Sequence, residues 1–330
     1  LMNPGKIVRP SKQDDRSLFR FKPGYSIPKI GEVLDWSEWN VPGAASTGFA
    51  AAVEMCNNNG HCRKFDAGTM CPSYRVTRDE QHVTRGRANT LRLALSGQLG
   101  GDGEKAVVEA LELCVGCKGC KRECPTGVDM ARMKIEFLHH YHRRHRRSLM
   151  DELVAHLPRY APRTAKLAGL ANLHRVPGVP WLAQHAIGFA ARRSLPKWRR
   201  DFFRGQSEVS SVGAALAAIT PKIAAEAAPT TSTQNVVLFA DTFNTYFEPE
   251  NLRAAVRVLT AGGYRVKIPQ GTDGNRPLCC GRTYLATGMI DEARIEARRV
   301  LAALEPFVAR GVAVVGLEPS CLLGLRDEFK

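Results

Sequence analysis

A run of four cysteines ending in proline constrains this chain more than any other feature. The segment CVGCKGCKRECP, residues 114–125, has the spacing C-x2-C-x2-C-x3-C-P. Short steps containing glycine let three successive thiolates converge on neighbouring irons of one cubane, and the cysteine before proline points towards another cluster. Zinc is the alternative, but zinc sites usually pair two cysteines with a second pair much further along the chain. The spacing therefore predicts a [4Fe–4S] cluster.

A second cysteine segment, CNNNGHCRKFDAGTMCP at residues 56–72, fits the same template with one ligand replaced. Asn59 stands where the middle cysteine of the trio would be, and the cysteine before proline follows a longer spacer. If the two segments exchange ligands, each contributes its outward cysteine to the cluster of the other. The predicted ligands are Cys71, Cys114, Cys117 and Cys120 for the complete [4Fe–4S] cluster, and Cys56, Cys62 and Cys124 for a second site.

Three thiolates at the second site suit a [3Fe–4S] cluster, or a [4Fe–4S] cluster with one ligand that is not cysteine. Asn59, His61 or solvent could supply that ligand. The spacing resembles the iron–sulfur subunit of succinate dehydrogenase, where a C-x5-C pair goes with a three-iron cluster. The alternative is an empty second site, with Cys56 and Cys62 as ordinary buried thiols.

Several cations surround these ligands in the sequence. Positive side chains near an anionic cluster favour its reduced form and raise its potential. The alternative for each is a solvated surface position. These residues are Arg63, Lys64, Arg85, Arg87, Lys118, Lys121 and Arg122.

Composition indicates the class of protein and the cellular compartment. Hydrophobic residues make up 44% and charged residues 24% of the 330 residues, as in ordinary globular proteins. No apolar run is long enough to span a bilayer, and the N-terminus lacks a signal-peptide pattern. Ten cysteines without an export signal predict a reducing compartment. We expect a cytoplasmic protein, or one bound peripherally to the inner face of the membrane.

One segment carries most of the net charge of +15. Residues 131–204 contain 16 Lys or Arg, four Asp or Glu, and seven of the nine histidines. Basic helices with aromatic residues can bind nucleic acid, and they can also meet anionic lipid or an acidic electron carrier. The alternative is an exposed helix face or a surface docked on another domain, and nucleic acid is the least favoured partner. His139, His140, His142 and His145 do not share one helix face, which argues against a histidine metal site.

Periodicity predicts a multidomain α + α/β protein. Residues 26–150 show helical spacing and read as an α-helical ferredoxin-like iron–sulfur domain. A basic helical connector follows at 151–204, and an Ala/Ser/Thr/Pro-rich flexible linker, with room for one short helix, at 205–234. Residues 235–330 alternate short β-branched runs with helical patterns, which predicts a small α/β domain with a parallel sheet. The predicted strands are 235–240, 264–269 and 312–319, and the predicted helices 249–262 and 286–309.

The last domain carries PLCCGRTYLATG and LEPSCLLG. Adjacent cysteines before glycine in such a domain resemble the cysteine-rich CCG domain of heterodisulfide reductases and glycerol-3-phosphate dehydrogenase subunits. That resemblance implies five cysteines that can hold a cluster. This chain departs from it, because the cysteine expected within 241–248 is absent and Gly324 replaces the last one. Cys279, Cys280 and Cys321 remain as candidate ligands, and the alternative is a retained fold whose cysteines pack or gate electron flow.

The order of motifs resembles the C-terminal half of bacterial FAD- and iron–sulfur-containing D-lactate and D-2-hydroxyglutarate dehydrogenase-like proteins. The shared features run from the NPGK turn near the N-terminus through both cysteine segments and RGRANTLR to DTFNTYFEPE, CCGR and LEPSC. The resemblance implies that residues 1–25 end an upstream FAD-linked oxidase domain, with Asn3 and Lys6 near the flavin. It also implies that clusters drain the reduced flavin towards a quinone, cytochrome or other carrier.

Three further expectations concern the completeness of the chain and its alternative functions. The chain begins without Met and reads as a fragment, truncated in its last domain, so the catalytic residues stay unknown. The rival function is an iron–sulfur subunit of a glycerol-3-phosphate dehydrogenase or heterodisulfide-reductase-type complex, against which the NPGK turn argues. A zinc-containing nucleic-acid binder is a third class, and it would be colourless.

Overall fold

The computed structural model is mostly helical, with a small parallel sheet near the carboxyl end of the chain. The predicted combination of α and α/β architecture is therefore confirmed. Two compact units are present, Leu1–Tyr141 and His142–Lys330. The residues that the structure describes are 26–43, 46–219, 234–271, 273 and 276–328.

Short helices joined by tight turns build the first unit. Apolar side chains at helical spacing form its core, in which Trp36, Phe49, Leu91, Leu111 and Met130 are among the fully buried residues. The helical spacing expected over residues 26–150 is present in the described residues. The helices are α1 Gly48–Glu54, α2 Pro72–Thr77, α3 Thr84–Leu95, α4 Gly103–Glu112, α5 Gly119–Glu123 and α6 Met130–His142.

A buried carboxylate ties the start of this unit to α6. Glu136 is fully buried, and its two oxygens accept the backbone N–H groups of Val33 and Leu34, both at 2.9 Å. The indole N–H of Trp36 donates to the same carboxylate at 3.1 Å, and the His140 ring lies 2.8 Å from it. Because a buried charge needs such partners, Glu136 fixes the entering chain on the helix that ends the cluster-binding region.

The second unit begins with the helices of the basic segment. One face of α8 is buried against the α/β part, where Ala161 and Ala165 pack with Tyr246. Its helices are α7 Leu149–Ala155, α8 Leu157–Lys166, α9 Ala168–Ala171, α10 Val179–Ala186, α11 Gln206–Ile219, α12 Thr242–Tyr246, α13 Pro249–Ala261, α14 Arg282–Ala286, α15 Ile290–Val308 and α16 Pro319–Gly324.

A three-stranded parallel sheet centres the second unit. Its strands are β1 Asn235–Phe239, β2 Arg265–Lys267 and β3 Ala313–Gly316, in the order β2-β1-β3. Val236 pairs with Val266 on one side and Ala313 on the other. The strands are runs of β-branched and apolar residues because the central strand is covered on both faces. All three predicted strands are confirmed; β1 is one residue shorter than predicted, and β2 and β3 are half the predicted length.

The segment predicted as a linker with room for one short helix, 205–234, begins with a helix in the structure. Its first part forms α11, and Val209 there is buried in a cluster with β1 and α13. The side-chain oxygen of Gln206 accepts the backbone N–H of Ile268 at 2.9 Å, which adds α11 beside β2. Alanine-rich composition suits a helix as well as a linker, and packing decided between them. Residues 220–233 lie outside the described part of the chain. Among the described helices, none combines the length and apolarity needed to cross a membrane.

Candidate metal centre

Backbone turns shape the loop that carries the cysteine trio. Gly116 and Lys118 adopt left-handed conformations, with φ of 61° and 58°. Lys118 is the residue before α5, so Cys120 lies in the first turn of that helix and is buried, whereas Cys117 is exposed. Left-handed steps turn the chain back on itself within a few residues. The trio therefore wraps around one point, as the spacing predicts.

A glutamate in α5 links the two cysteine segments. The carboxylate of Glu123 accepts the backbone N–H groups of Thr69 and Met70, at 2.8 and 2.9 Å, and the Thr69 hydroxyl at 2.6 Å. These hydrogen bonds, the Thr69 hydroxyl first, lower the pKa of the Glu123 carboxyl. Gly119 packs closely here, because an added Cβ would lie 3.2 Å from the Met70 Cα. Cys71 follows directly, so α5 holds the fourth cysteine beside the trio.

All four cysteines predicted for the complete cluster line one cavity. Its empty volume, including the open mouth, is about 320 Å³. Four thiols around one cavity, two of them buried, form the donor set of a cubane cluster with one thiolate on each iron. The residues that border the cavity include Cys71, Cys114, Cys117, Cys120, Thr84, Arg87, Lys118 and Met130.

Backbone N–H groups point at the two buried thiols. The N–H of Thr84 donates to Cys71 Sγ at 3.0 Å, and the Thr84 hydroxyl lies 2.8 Å from the same sulfur. The N–H of Met130 donates to Cys120 Sγ at 3.3 Å. Hydrogen bonds to sulfur stabilise thiolates and raise the potential of a cluster they hold. Both donors begin helices, α3 and α6.

Burial opposes thiolate formation when no metal is bound. It raises the pKa of Cys71, and it raises that of Cys120 to about 12 despite the Met130 hydrogen bond. Iron must displace these protons when it binds, so the buried thiols suit a metal centre with high positive charge. These thiols therefore suit an iron–sulfur cluster better than they suit contact with water.

One of the seven cations near the ligands is buried. Arg87 is 3% exposed, borders the cavity, and acts to lower the pKa of Cys71. Its guanidinium donates to the Ala110 carbonyl oxygen and to Ser73 Oγ, both at 2.8 Å. These contacts fix a positive charge beside the cavity in a region of low dielectric, where it acts most strongly.

The other cations divide by exposure. Arg63 and Arg85 both pair with Glu80, at 2.7 and 2.6 Å. Lys64 and Arg122 are exposed, in agreement with the alternative of a solvated surface. Lys118 borders the cavity, and Lys121 lies 3.7 Å from Asp129.

Cys56 and Cys62 lie close together beside this centre. Burial raises the pKa of Cys62 to about 11, the backbone N–H of Arg85 lowers it, and the nearby thiols of Cys71 and Cys56 raise it further. Cys124 follows α5, with its sulfur 3.3 Å from the Thr126 hydroxyl. The neighbouring position of two of the three thiols agrees with a second site, and membership of Cys124 stays a prediction.

Asn59 stabilises the turn between Asn57 and His61. Its side-chain oxygen accepts the backbone N–H of His61 at 2.8 Å, and its own N–H donates to Asn57 Oδ1 at 3.2 Å. Gly60 between them is left-handed, with φ of 76°. The Asn59 oxygen thus shapes the turn through one of its two lone pairs, and Asn59, His61 and solvent all stay predicted candidates for the fourth ligand.

Within the described residues, no group of three or more His, Cys, Asp or Glu converges tightly enough to hold a single metal ion. The thiolates of a cubane bind four separate irons, so they surround a volume and do not meet at one point.

The three cysteines of the second unit are also brought together. Cys280 Sγ lies 3.0 Å from Cys321 Sγ, and all three thiols are buried. The adjacent Cys280 thiol and then burial raise the pKa of Cys279 well above its usual range. For Cys280, the hydrogen bond with Cys279 lowers the pKa, but Cys321 and burial together raise it to about 12. The carboxylate of Asp241, in the stretch where a further cysteine was expected, caps α12.

Two predicted site residues cannot be placed in the structure, and three residues of the site were not predicted from the sequence. Asn3 and Lys6 lie outside the described residues. Sequence reasoning missed Glu123, Thr84 and Glu136, whose key contacts lie 13 to 103 residues away along the chain. No short-range pattern marks them.

Comparison with known proteins supports the metal centre. Residues 52–128 match the family model of the 4Fe-4S dicluster domain. This range contains all seven cysteines between 56 and 124. The predicted iron–sulfur domain is therefore confirmed.

Relatives match the chain from end to end. A D-2-hydroxyglutarate dehydrogenase of Pseudomonas putida is 28% identical over 366 residues, covering 100% of this chain and 34% of the relative. One from Escherichia coli K12 is 26% identical, also covering 100% and 34%. The chain thus spans about a third of the length of the curated relatives it matches. No solved structure matches it. The resemblance to D-2-hydroxyglutarate dehydrogenase-like proteins is confirmed.

Proposed function

We propose that this chain, similar over its whole length to D-2-hydroxyglutarate dehydrogenases, is the iron–sulfur electron-transfer portion of an FAD-dependent D-2-hydroxyacid dehydrogenase. It would receive electrons from a reduced flavin held elsewhere in the protein. An acceptor such as a quinone, a cytochrome or another carrier would then be reduced. The observation that carries the proposal is the single cavity bordered by Cys71 and the trio at 114, 117 and 120.

Each of these residues would have its own role at the cluster. Cys71 and the trio would hold a [4Fe–4S] cluster, which supplies one-electron redox chemistry where a flavin supplies two-electron chemistry. The N–H groups of Thr84 and Met130 would stabilise the thiolates they already face. Arg87 would favour the reduced state through its fixed positive charge. Glu123 would position Cys71, because it holds the two residues before it.

We propose a second cluster of the [3Fe–4S] or [4Fe–4S] type on Cys56, Cys62 and Cys124. The electrostatic influence of Cys56 on the Cys62 thiol, and the description of the matched family as a dicluster domain, support it. If four irons are present, Asn59, His61 or solvent would complete the set. Cys279, Cys280 and Cys321 stay predicted as a third, separate group of ligands.

Iron and sulfide analysis with EPR on anaerobically purified protein tests the metal centre. About seven or eight irons per chain would support both clusters, and about four would support the complete one alone. Substituting Cys71→Ala should remove the signal that appears only on reduction, whereas Cys56→Ala should leave that signal and remove any three-iron signal. Protein that contains zinc and no iron would contradict the proposal.

The dehydrogenase assignment needs the longer protein that includes the flavin. D-2-hydroxyglutarate and D-lactate should each be tried as the substrate that bleaches the flavin. The Cys71→Ala variant should bleach at the unchanged rate but lose turnover with the acceptor, because electrons no longer leave the flavin. Full turnover in that variant would show that the electrons take another route.

A further inference from the structure

Six large apolar side chains are exposed within a short stretch of the second unit. They lie on or directly beside α9, the 3-10 turn Asn172–Arg175 and α10, which packs against that turn. Two of them, Leu170 and Trp181, are 67% and 62% exposed. Single exposed apolar residues are ordinary, but a contiguous group marks an interaction surface. We call these residues the Leu–Trp surface: Leu167, Leu170, Leu173, Val176, Trp181 and Leu182.

Helix α10 shows this exposure of apolar side chains most clearly. Its sequence, VPWLAQHA, has no charged residue, and none of its residues is buried. The rings of Trp181 and His185 pack on each other, with centroids 4.3 Å apart, at the surface of the helix. An apolar helix normally turns its side chains into a core. Here Trp181 and Leu182 are 62% and 59% exposed, so within the described residues nothing buries them.

The charges around this surface have one sign. Residues 153–200 contain nine Lys or Arg and no Asp or Glu. Arg163, Lys166 and Arg175 are exposed, and they form no ion pair within the part of the chain that the structure describes. A partner with fixed negative charge would therefore be attracted from any direction.

We propose that the Leu–Trp surface docks on an anionic lipid bilayer, with α9 and α10 lying in the headgroup region. Leucine and tryptophan beside lysine and arginine, without acidic residues, form the composition of interfacial helices. With eight residues, α10 is far too short to span a bilayer, so it lies in the plane of the interface. Arg163, Lys166 and Arg175, which are exposed, would add electrostatic attraction to anionic headgroups. This proposal does not depend on the dehydrogenase assignment.

Vesicle cosedimentation of the purified chain tests the proposal. Phosphatidylcholine vesicles with and without phosphatidylglycerol would be compared for the unchanged protein and for Trp181→Ser with Leu182→Ser. We expect clear binding only to the anionic vesicles, and a loss of about tenfold or more in the double variant, because each large side chain contributes that much when fully buried. Trp181 emission should shift to shorter wavelength on binding.

A charge variant and a matched control complete the experiment. Arg163→Gln with Lys166→Gln should weaken binding by about 25-fold, since each cation near an anionic surface adds about a fivefold factor. Val258→Ser with Leu301→Ser removes two exposed apolar side chains elsewhere, 71% and 50% exposed, and should bind as the unchanged protein does. Circular dichroism would establish that all variants fold.

Three results would overturn the proposal. The first is no binding of the unchanged protein to anionic vesicles. The second is equal binding by the folded Trp181→Ser, Leu182→Ser variant. The third is a change from dimer to monomer in that variant during sedimentation, without vesicle binding, which would make the surface an interface between two copies of the chain.

Discussion

Replacing Glu136 tests how the iron–sulfur unit is held together. The substitution Glu136→Ala removes a fully buried carboxylate that accepts three N–H groups, those of Val33, Leu34 and the Trp36 indole. A hydrogen bond to a charged group contributes about 1.5–3 kcal/mol, and an unsatisfied buried donor costs about 1–3 kcal/mol. Two donors are only partly buried, so we expect the free energy of unfolding to fall by about 3–5 kcal/mol.

Urea unfolding followed by tryptophan emission measures this loss, because Trp36 is 1% exposed and bonded to the carboxylate itself. Glu136→Gln keeps one acceptor oxygen and should lose about half as much. As a control, Glu38→Gln removes an exposed carboxylate paired with Arg132 at 2.7 Å, and should cost less than about 1 kcal/mol. A loss below about 1 kcal/mol for Glu136→Ala would refute the assignment of Glu136 as the anchor.

Three other predictions concern the two units. Arg87→Met should lower the midpoint potential of the cluster in a redox titration, because it removes a buried positive charge, whereas exposed Lys64→Met should leave it nearly unchanged. Glu123→Ala should lower the iron content per chain and speed iron loss to a chelator, since the segment before the fourth cysteine is no longer held; retention of iron equal to the unchanged protein would contradict that role. Gly281→Ala should lower the thermal midpoint more than Gly311→Ala: both have φ above 70°, but only at Gly281 would the new Cβ meet a carbonyl oxygen, 3.1 Å away in α15.

Sequence spacing was enough to predict the nature of the iron–sulfur domain. The step of three residues between Cys114, Cys117 and Cys120 requires a tight loop with left-handed positions, and Gly116 and Lys118 adopt them. Local chemistry dictates this result because the ligands lie within a few residues of one another. The strands of the second unit were predictable for a similar reason, since β-branched runs report burial in a parallel sheet.

The sequence could not predict contacts between residues that lie far apart along the chain. Glu136 illustrates this limit, because its carboxylate accepts the backbone N–H of Val33, 103 residues away along the chain. The segment 205–234 illustrates it again, because its composition suits both linker and helix and only packing of Val209 on the sheet decides.

The sequence by itself determined which cofactor chemistry this chain can hold and the class of its two units, because spacing and periodicity are local properties. Tertiary structure alone decided how Cys71 is held beside the trio, since Glu123 accepts a hydrogen bond from Thr69, 54 residues away along the chain. It also decided that Arg87 is buried beside the cavity while Lys64 is solvated, and that the apolar residues of α10 face outwards. Those outcomes depend on which surfaces pack together, and packing is settled by the free energy of the whole chain rather than by any one segment of it.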